Sequence, residues 1–259
     1  MLQRTVGEPA GRLIFALTHP RGRPTRFSML NVHGLTKRYG DYWALRGASF
    51  SVRAGEVLGL VGPNGSGKTT LLECLAGLLS IDGGNIRPDD PLIPRKRRDL
   101  LFYMPDGILP WPEQTVGWTL PFFSSLHGAL RAEVTDIARN LDVASLERKR
   151  VAALSKGERK RVLITLALLT PQPLVLLDEP FDGLDLRQSR ELAPLLRHVA
   201  TTGRALLLSI HTLHDAARVC DRLVLLSDGR VAGEGTIDEL RARAGLPEAD
   251  LEEVFLALT

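Results

Sequence analysis

VLGLVGPNGSGKTT, Val57 to Thr70, joins an apolar run to a glycine-rich loop and then to a helical pattern. Val57 to Val61 has no polar side chain and reads as a buried strand. Gly62, Pro63, Asn64, Gly65, Ser66, Gly67, Lys68 and Thr69 then fit G-x-x-x-x-G-K-[ST] at every fixed position, with Thr70 next in line. Leu71, Leu72, Leu75, Leu78 and Leu79 predict a helix over 69–79. In a strand–loop–helix context the glycines let successive backbone N–H groups turn inward on an anion, at a helix end of positive partial charge. Lys68 supplies a full positive charge for the β- and γ-phosphates of a nucleoside triphosphate, and Thr69 a hydroxyl for Mg²⁺.

A second stretch completes that chemistry. LVLLDEP, Leu174 to Pro180, reads as another buried strand ending in Asp178, with Glu179 directly after it. A carboxylate at a strand end beside a phosphate loop is suited to hold Mg²⁺, and the next one to polarise a water for in-line attack on the γ-phosphate. Alone, the pair would also suit the start of a helix. Ala205 to Ile210 and Leu223 to Leu226 supply two further apolar strands, as expected of parallel strands covered on both faces. A helix over 187–200 contains Pro194, which predicts a kink or an early end. Residues 30–56 and 83–104, with turns and glycines, suggest a small antiparallel sheet in front of the parallel one. Residues 115–152 read as helical, most clearly from Ala132 to Leu141.

Composition sets the outer limits. The chain has 259 residues, 44% of them hydrophobic and 24% charged, enough for one large domain or two small ones. No apolar run approaches the roughly 20 residues of a membrane span. Cys74 and Cys220 read as core thiols of a reducing compartment rather than a disulfide framework. The net charge is +3, but residues 1–28 hold five Arg against one Glu, so the basicity belongs to the tail and the remainder is close to neutral. That argues against nucleic acid as a partner. The tail reads as a disordered extension or a start set upstream of the true one, with Met29 heading the organised sequence. A transit peptide is the alternative.

LSKGERKR, Leu154 to Arg161, is locally a capping box, Ser155 to Glu158, that starts a helix. With it, the order of motifs resembles that of the ATP-binding subunits of ABC transporters, over Met29 to Thr259. Gly62–Thr69 resembles Walker A, Leu154–Glu158 (Leu154, Ser155, Lys156, Gly157, Glu158) the family signature, and Leu174–Glu179 Walker B. Gly183-Leu184-Asp185 resembles the D-loop, and His211 in LLLSIH the switch histidine. The resemblance implies a P-loop α/β core with a mostly parallel sheet, an N-terminal antiparallel β subdomain, and a helical subdomain inserted at about 107–160. It implies ATP and Mg²⁺ as ligands, with Lys68, Glu179 and His211 catalytic and Thr69 and Asp178 at the metal. Tyr39 in KRYG would stack on adenine, with Tyr42 and Trp43 as nearby alternatives; otherwise Tyr39 is a turn aromatic packed on the sheet. Two chains, identical or paralogous, would pair head to tail. Ser155 and the Gly157 N–H would then reach ATP held by the partner.

The chain departs from the family pattern at two positions. Lys156 stands where Gly is usual, with a charge that either reaches phosphate or points to solvent. Asp106 in YMPDG stands where Gln usually touches Mg²⁺ and signals to the membrane partner. An anionic Asp could still bind the metal through water. Trp111, Trp118, Phe122 and Phe123 suit either a groove for the permease's coupling helix or the helical subdomain's own core. His214 reads as a helix-face residue and Arg95 to Arg98 as a solvated turn. The expected protein is the ATPase of a transporter, peripheral at the cytoplasmic face of a bacterial plasma membrane, driving a separate permease. LEEVFLALT at the C-terminus resembles the drug and polysaccharide export branch. The competing reading is a soluble ATPase of the same type acting on ribosome or DNA.

Overall fold

A computed structural model describes residues 28–88, 96–129 and 131–259. The expectations for the tail, up to residue 27, and for Arg95 lie outside the described residues. The elements run β1 (Ser28–Tyr39), β2 (Tyr42–Arg53), β3 (Val57–Val61), α1 (Lys68–Ala76), β4 (Gly83–Arg87), α2 (Arg97–Leu100), β5 (Leu101–Met104), α3 (Val116–His127), α4 (Arg131–Asn140) and α5 (Lys156–Leu168). They continue with β6 (Leu174–Asp178), α6 (Leu186–Thr201), β7 (Ala205–Ile210), α7 (Leu213–Val219), β8 (Arg222–Ser227), β9 (Arg230–Gly235), α8 (Ile237–Ala244) and α9 (Leu251–Leu258).

Two sheets divide the strands. One has the order β5-β6-β7-β3-β8-β9, parallel throughout except for the antiparallel pair β8–β9. The other is antiparallel, in the order β2-β1-β4. The fully apolar strands are explained by what covers them. Side chains alternate between the faces of a strand. Val57 and Val61, Val175 and Leu177, and Leu206 and Leu208 join a core shared with α3 to α9. Leu58 and Leu60, Leu174 and Leu176, and Leu207 join a second core built with β1, β2 and α1. With both faces buried, no position in these strands tolerates a solvent-facing polar residue.

Three expectations are corrected. Residues 101–104 do not join the antiparallel sheet. β5 pairs in parallel with β6, Leu101 opposite Leu174 through Met104 opposite Leu177, because its apolar residues are needed on the main sheet. α1 stops at Ala76: Gly77 takes φ 78°, a left-handed cap that ends the helix, and leaves Leu78 exposed. α6 runs through Pro194 to Thr201 without ending early. Pro194 and Arg190 both lie on the exposed face, so the carbonyl deprived of its helical N–H stays open to solvent. Both cysteines are buried and free, as expected of core thiols. Among the described residues no helix is long and apolar enough to cross a membrane.

Candidate active site

Strand register brings the motifs to one edge. Val61 lies opposite Ile210, and Asp178 opposite Ser209, so β3, β6 and β7 end side by side. The phosphate loop, the Asp178–Glu179 pair and His211 leave from those carboxyl ends, where ligands of parallel sheets bind. At two of its glycines the loop has no room for a side chain. A Cβ at Gly62 would lie 2.1 Å from the Leu226 carbonyl oxygen, and one at Gly67, where φ is 103°, would lie 2.5 Å from that of Ala44.

Lys68 heads α1 and is only 6% exposed. Its Nζ donates to the carbonyls of Gly62 (2.7 Å) and Pro63 (3.0 Å). Burial lowers its pKa, an effect opposed by the negative charges of Glu179 and Asp178. Behind it the Ser66 hydroxyl is buried with no hydrogen-bond partner among the described residues. A desolvated ammonium held, among the described residues, by neutral carbonyls, in a cradle with no room for a Cβ at Gly62 or Gly67, fits an anionic ligand such as a triphosphate.

Thr69 Oγ1 donates to Asp178 Oδ2 at 3.1 Å, so the two expected metal-holding side chains already meet. Paired hydroxyl and carboxylate oxygens are the hard donors Mg²⁺ takes, so the residues fit that ion. Asp178 is fully framed. Ser209 Oγ donates to its Oδ1 through a very short bond, and the Tyr103 hydroxyl donates to Oδ2 at 3.4 Å. Burial, then the charge of Asp178, pushes the Tyr103 pKa up, which keeps that hydroxyl a donor. Ser209 Oγ also accepts the Glu179 N–H at 2.8 Å. Glu179 itself sits at φ 48°, left-handed and uncommon outside glycine. His211 Nδ1 lies 3.8 Å from Glu179 Oε2, beyond hydrogen-bond length.

A cavity of about 240 Å³ is lined by Tyr39, Tyr42, Ala44, Asn64, Gly65, Gly67, Lys68, Thr69, Thr70 and Glu179. That is below the ~300–1,000 Å³ of pockets that enclose a ligand of nucleotide size. Gly62, Pro63 and Ser66 are not among the lining residues. Two tyrosines face the cavity rather than one. Tyr39 is largely exposed, and the Tyr42 hydroxyl donates to the Gly65 carbonyl at 3.3 Å. Trp43 is not in the lining and carries the Arg38 guanidinium 5.4 Å from its ring centre.

The structure does not bring Leu154 to Glu158 to this cavity. Ser155 caps α5 in a full capping box: the Glu158 N–H donates to Ser155 Oγ (3.3 Å) and the Ser155 N–H to Glu158 Oε2 (3.0 Å). Lys149 holds Glu158 Oε1 at 2.7 Å, and this bond first, then the Ser155 N–H, lowers the Glu158 pKa. Lys156 does not line the cavity; its side chain is exposed to solvent, and its Nζ meets Asp182 Oδ2 at 2.6 Å. Hydrogen bonding between the two raises the Lys156 pKa and lowers that of Asp182. Asp185 caps α6 in a second capping box, with Gln188. Asp106 meets the buried Lys160 Nζ at 2.5 Å, and its carboxylate lies within 4.8 Å of those of Glu179 and Asp182. His214 lies on α7, as expected of a helix-face residue.

The aromatic cluster divides. Phe123 is buried and Trp111 packs against the core, whereas Trp118 and Phe122 are exposed and stacked, 4.5 Å between ring centres and 16° between planes. With exposed Leu126 they form a stripe at four-residue spacing along α3.

Sequence reasoning missed Ser209, Tyr103, Lys160 and Asp182. Ser209 carried a signal, being the one polar residue in the otherwise apolar strand ALLLSI. Lys160 carried none, because burial of a lysine in ERKR cannot be read from its neighbours.

Residues 45–182 match the family described as ABC transporter. The chain is 35% identical over 221 residues to Nod factor export ATP-binding protein I of Ralstonia nicotianae, covering 82% of this chain and 68% of that protein. It is 36% identical over 231 residues to a daunorubicin resistance ATP-binding protein of Streptomyces coeruleorubidus, covering 86% and 72%. Among solved structures it is similar to an ATP-binding subunit of an ABC transporter, with TM-score 0.80, 31% identity, and 89% of this chain and 99% of that one covered. A bacterial Atm1-family ABC exporter with ATP bound gives TM-score 0.74 and 27% identity, over 90% of this chain and 42% of that one.

Proposed function

The chain belongs to the ABC transporter family as an ATP-hydrolysing, ATP-binding subunit, and on that premise we propose that it powers export through a separate membrane permease. The observation that carries this reading is Lys68, buried and, among the described residues, held by carbonyls beside Asp178 and Glu179. Tyr39 offers a ring face to adenine, and Asn64, Gly65, Gly67 and Thr70 line the phosphate side of the same cavity. Thr69 and Asp178 hold Mg²⁺, which supplies charge neutralisation at the phosphates. Glu179, with its backbone fixed by Ser209, accepts a proton from the attacking water, and His211 steadies that water from the other side.

The second chain follows from what one chain leaves open. The cavity is small, and the capped end of α5 is exposed and lies outside its lining. A helix N-terminus with Ser155 at its cap suits a γ-phosphate held by another copy or a paralogue, with Asp185 at the same interface. The stripe of Trp118, Phe122 and Leu126 supports docking of an apolar helix of the permease. Such docking sets the protein on the cytoplasmic face of a bacterial plasma membrane, with no part for nucleic acid. Export is favoured over import, and over a soluble ATPase acting on ribosome or DNA, by the similarity to a Nod factor export ATP-binding protein.

Glu179→Gln tests the reading. It keeps ATP binding, lowers turnover by about 10²–10³-fold, and traps a dimer visible by size-exclusion chromatography with Mg-ATP. A variant that stays monomeric at saturating Mg-ATP would overturn the two-chain site.

A further inference from the structure

α5 carries Lys156 in its first turn and Lys160 one turn on, so both ammonium groups leave the same helix face. Each meets a carboxylate on a loop outside the helix. Lys156 meets Asp182, between β6 and α6, at 2.6 Å, and Lys160 meets Asp106, between β5 and α3, at 2.5 Å. Oxygens of Asp106, Asp182 and Glu179 all lie within 4.8 Å of one another. Carboxylates this close repel, and two cations from one helix offset that repulsion. Packing reinforces the charge pairs. A Cβ at Gly183 would lie 2.8 Å from Lys156 Cγ, and one at Gly157 would lie 2.7 Å from the Gly183 carbonyl oxygen. The first turn of α5 and the loop after Glu179 are therefore in close backbone contact.

The phosphate loop and Asp178 need none of these contacts, being held by the sheet. The lysine pairs instead join the capped end of α5 to the two loops flanking Glu179. Both positions where the chain departs from the usual family residues, 106 and 156, belong to these pairs. We infer that Lys156 and Lys160 are positioning residues that couple the two nucleotide sites. Displacement of the α5 cap against the partner's ATP is delivered through Lys156–Asp182 and Lys160–Asp106 to the loops that set Glu179. This rests on the two-chain reading above.

The test uses the full chain, with steady-state ATPase kinetics, binding of a fluorescent ATP analogue, and thermal melting. Lys160→Met keeps analogue affinity and leaves KM within about twofold, while kcat falls about tenfold, as expected when a reacting group is misplaced but substrate binding is not. Asp106→Asn in the Lys160→Met background removes the stranded charge and restores at least about half of kcat. Wild-type kcat in Lys160→Met, no recovery in the double variant, or a KM rise as large as the kcat loss would each overturn the inference. Should Lys160→Met fail to fold, the more exposed pair decides: Lys156→Met and Asp182→Asn each lower kcat about threefold and act non-additively, whereas additive effects sink the coupling. The Glu179→Gln dimer separates the two failures. A trapped dimer with unaffected lysine variants defeats the inference alone; no dimer defeats the two-chain reading and the inference with it.

Discussion

The phosphate loop and α5 each bury a lysine, and they do so in opposite ways. Lys68 is 6% exposed and, among the described residues, its Nζ hydrogen-bonds carbonyl oxygens. Lys160 is 3% exposed on its side chain and holds a carboxylate. Burial disfavours a charge unless something compensates. At Lys68 the compensation is incomplete and the ammonium is poised for an anion the chain does not supply. At Lys160 it is complete within the chain, so the charge serves to fix two segments against each other. Of these two lysines, the one without a counter-ion faces the cavity and the one with a counter-ion joins two segments.

The comparison can be broken at its strongest point first. Lys68→Met should reduce ATPase activity by about 10³-fold or more, since it removes the charge aimed at the transferred phosphoryl group. Nucleotide-free Lys68→Met should nevertheless melt no lower than wild type, because the lysine is a desolvated charge there. A lower melting temperature would mean that Lys68 is as structural as Lys160. The opposite holds at the joint. Asp106→Ala strands the Lys160 charge and should cost about 2–3 kcal/mol in urea unfolding, under the roughly 3–5 kcal/mol of a fully buried pair because Asp106 is 41% exposed. No loss of stability would show that water replaces Asp106 and that the joint is loose.

Two smaller effects sharpen the contrast. Gly183→Ala puts a Cβ against the Lys156 stem at a φ of 81°, and should destabilise by about 1–2 kcal/mol while lowering kcat with little change in KM. An unchanged kcat would detach Lys156 from the loop it packs on. The last is a pH effect. The folded pKa of Lys68 is lowered by burial, so between that value and the ordinary lysine value the unfolded chain binds more protons, and stability rises with pH. The cost of Lys68 is fully present below the folded pKa and fades as pH rises. Any melting-temperature advantage of Lys68→Met should therefore shrink from pH 8 toward pH 10. A constant gap would assign it to packing instead.

Much of this was legible without coordinates. The loop GPNGSGKT, the strand end LLDE and the parallel apolar strands follow from local rules, because a strand buried on both faces has no solvent-facing alternative and a phosphate loop needs consecutive residues. β5 was misassigned because four residues carry too little pattern to show which sheet they join. The capping box at Ser155 was equally plain, since both partners lie within one turn.

What the sequence by itself determined, then, is everything built from neighbours: the phosphate cradle, the acidic strand end, the helix cap and the family. The tertiary structure alone decided the rest. It put Ser209 beneath both Asp178 and Glu179 by the register of β6 and β7. It turned Tyr42 as well as Tyr39 toward the cavity. It gave Lys156 to Asp182 and Lys160 to Asp106, across segments far apart in the chain. Charge acts through space and is weighed by burial, and neither distance nor burial is written in the order of residues.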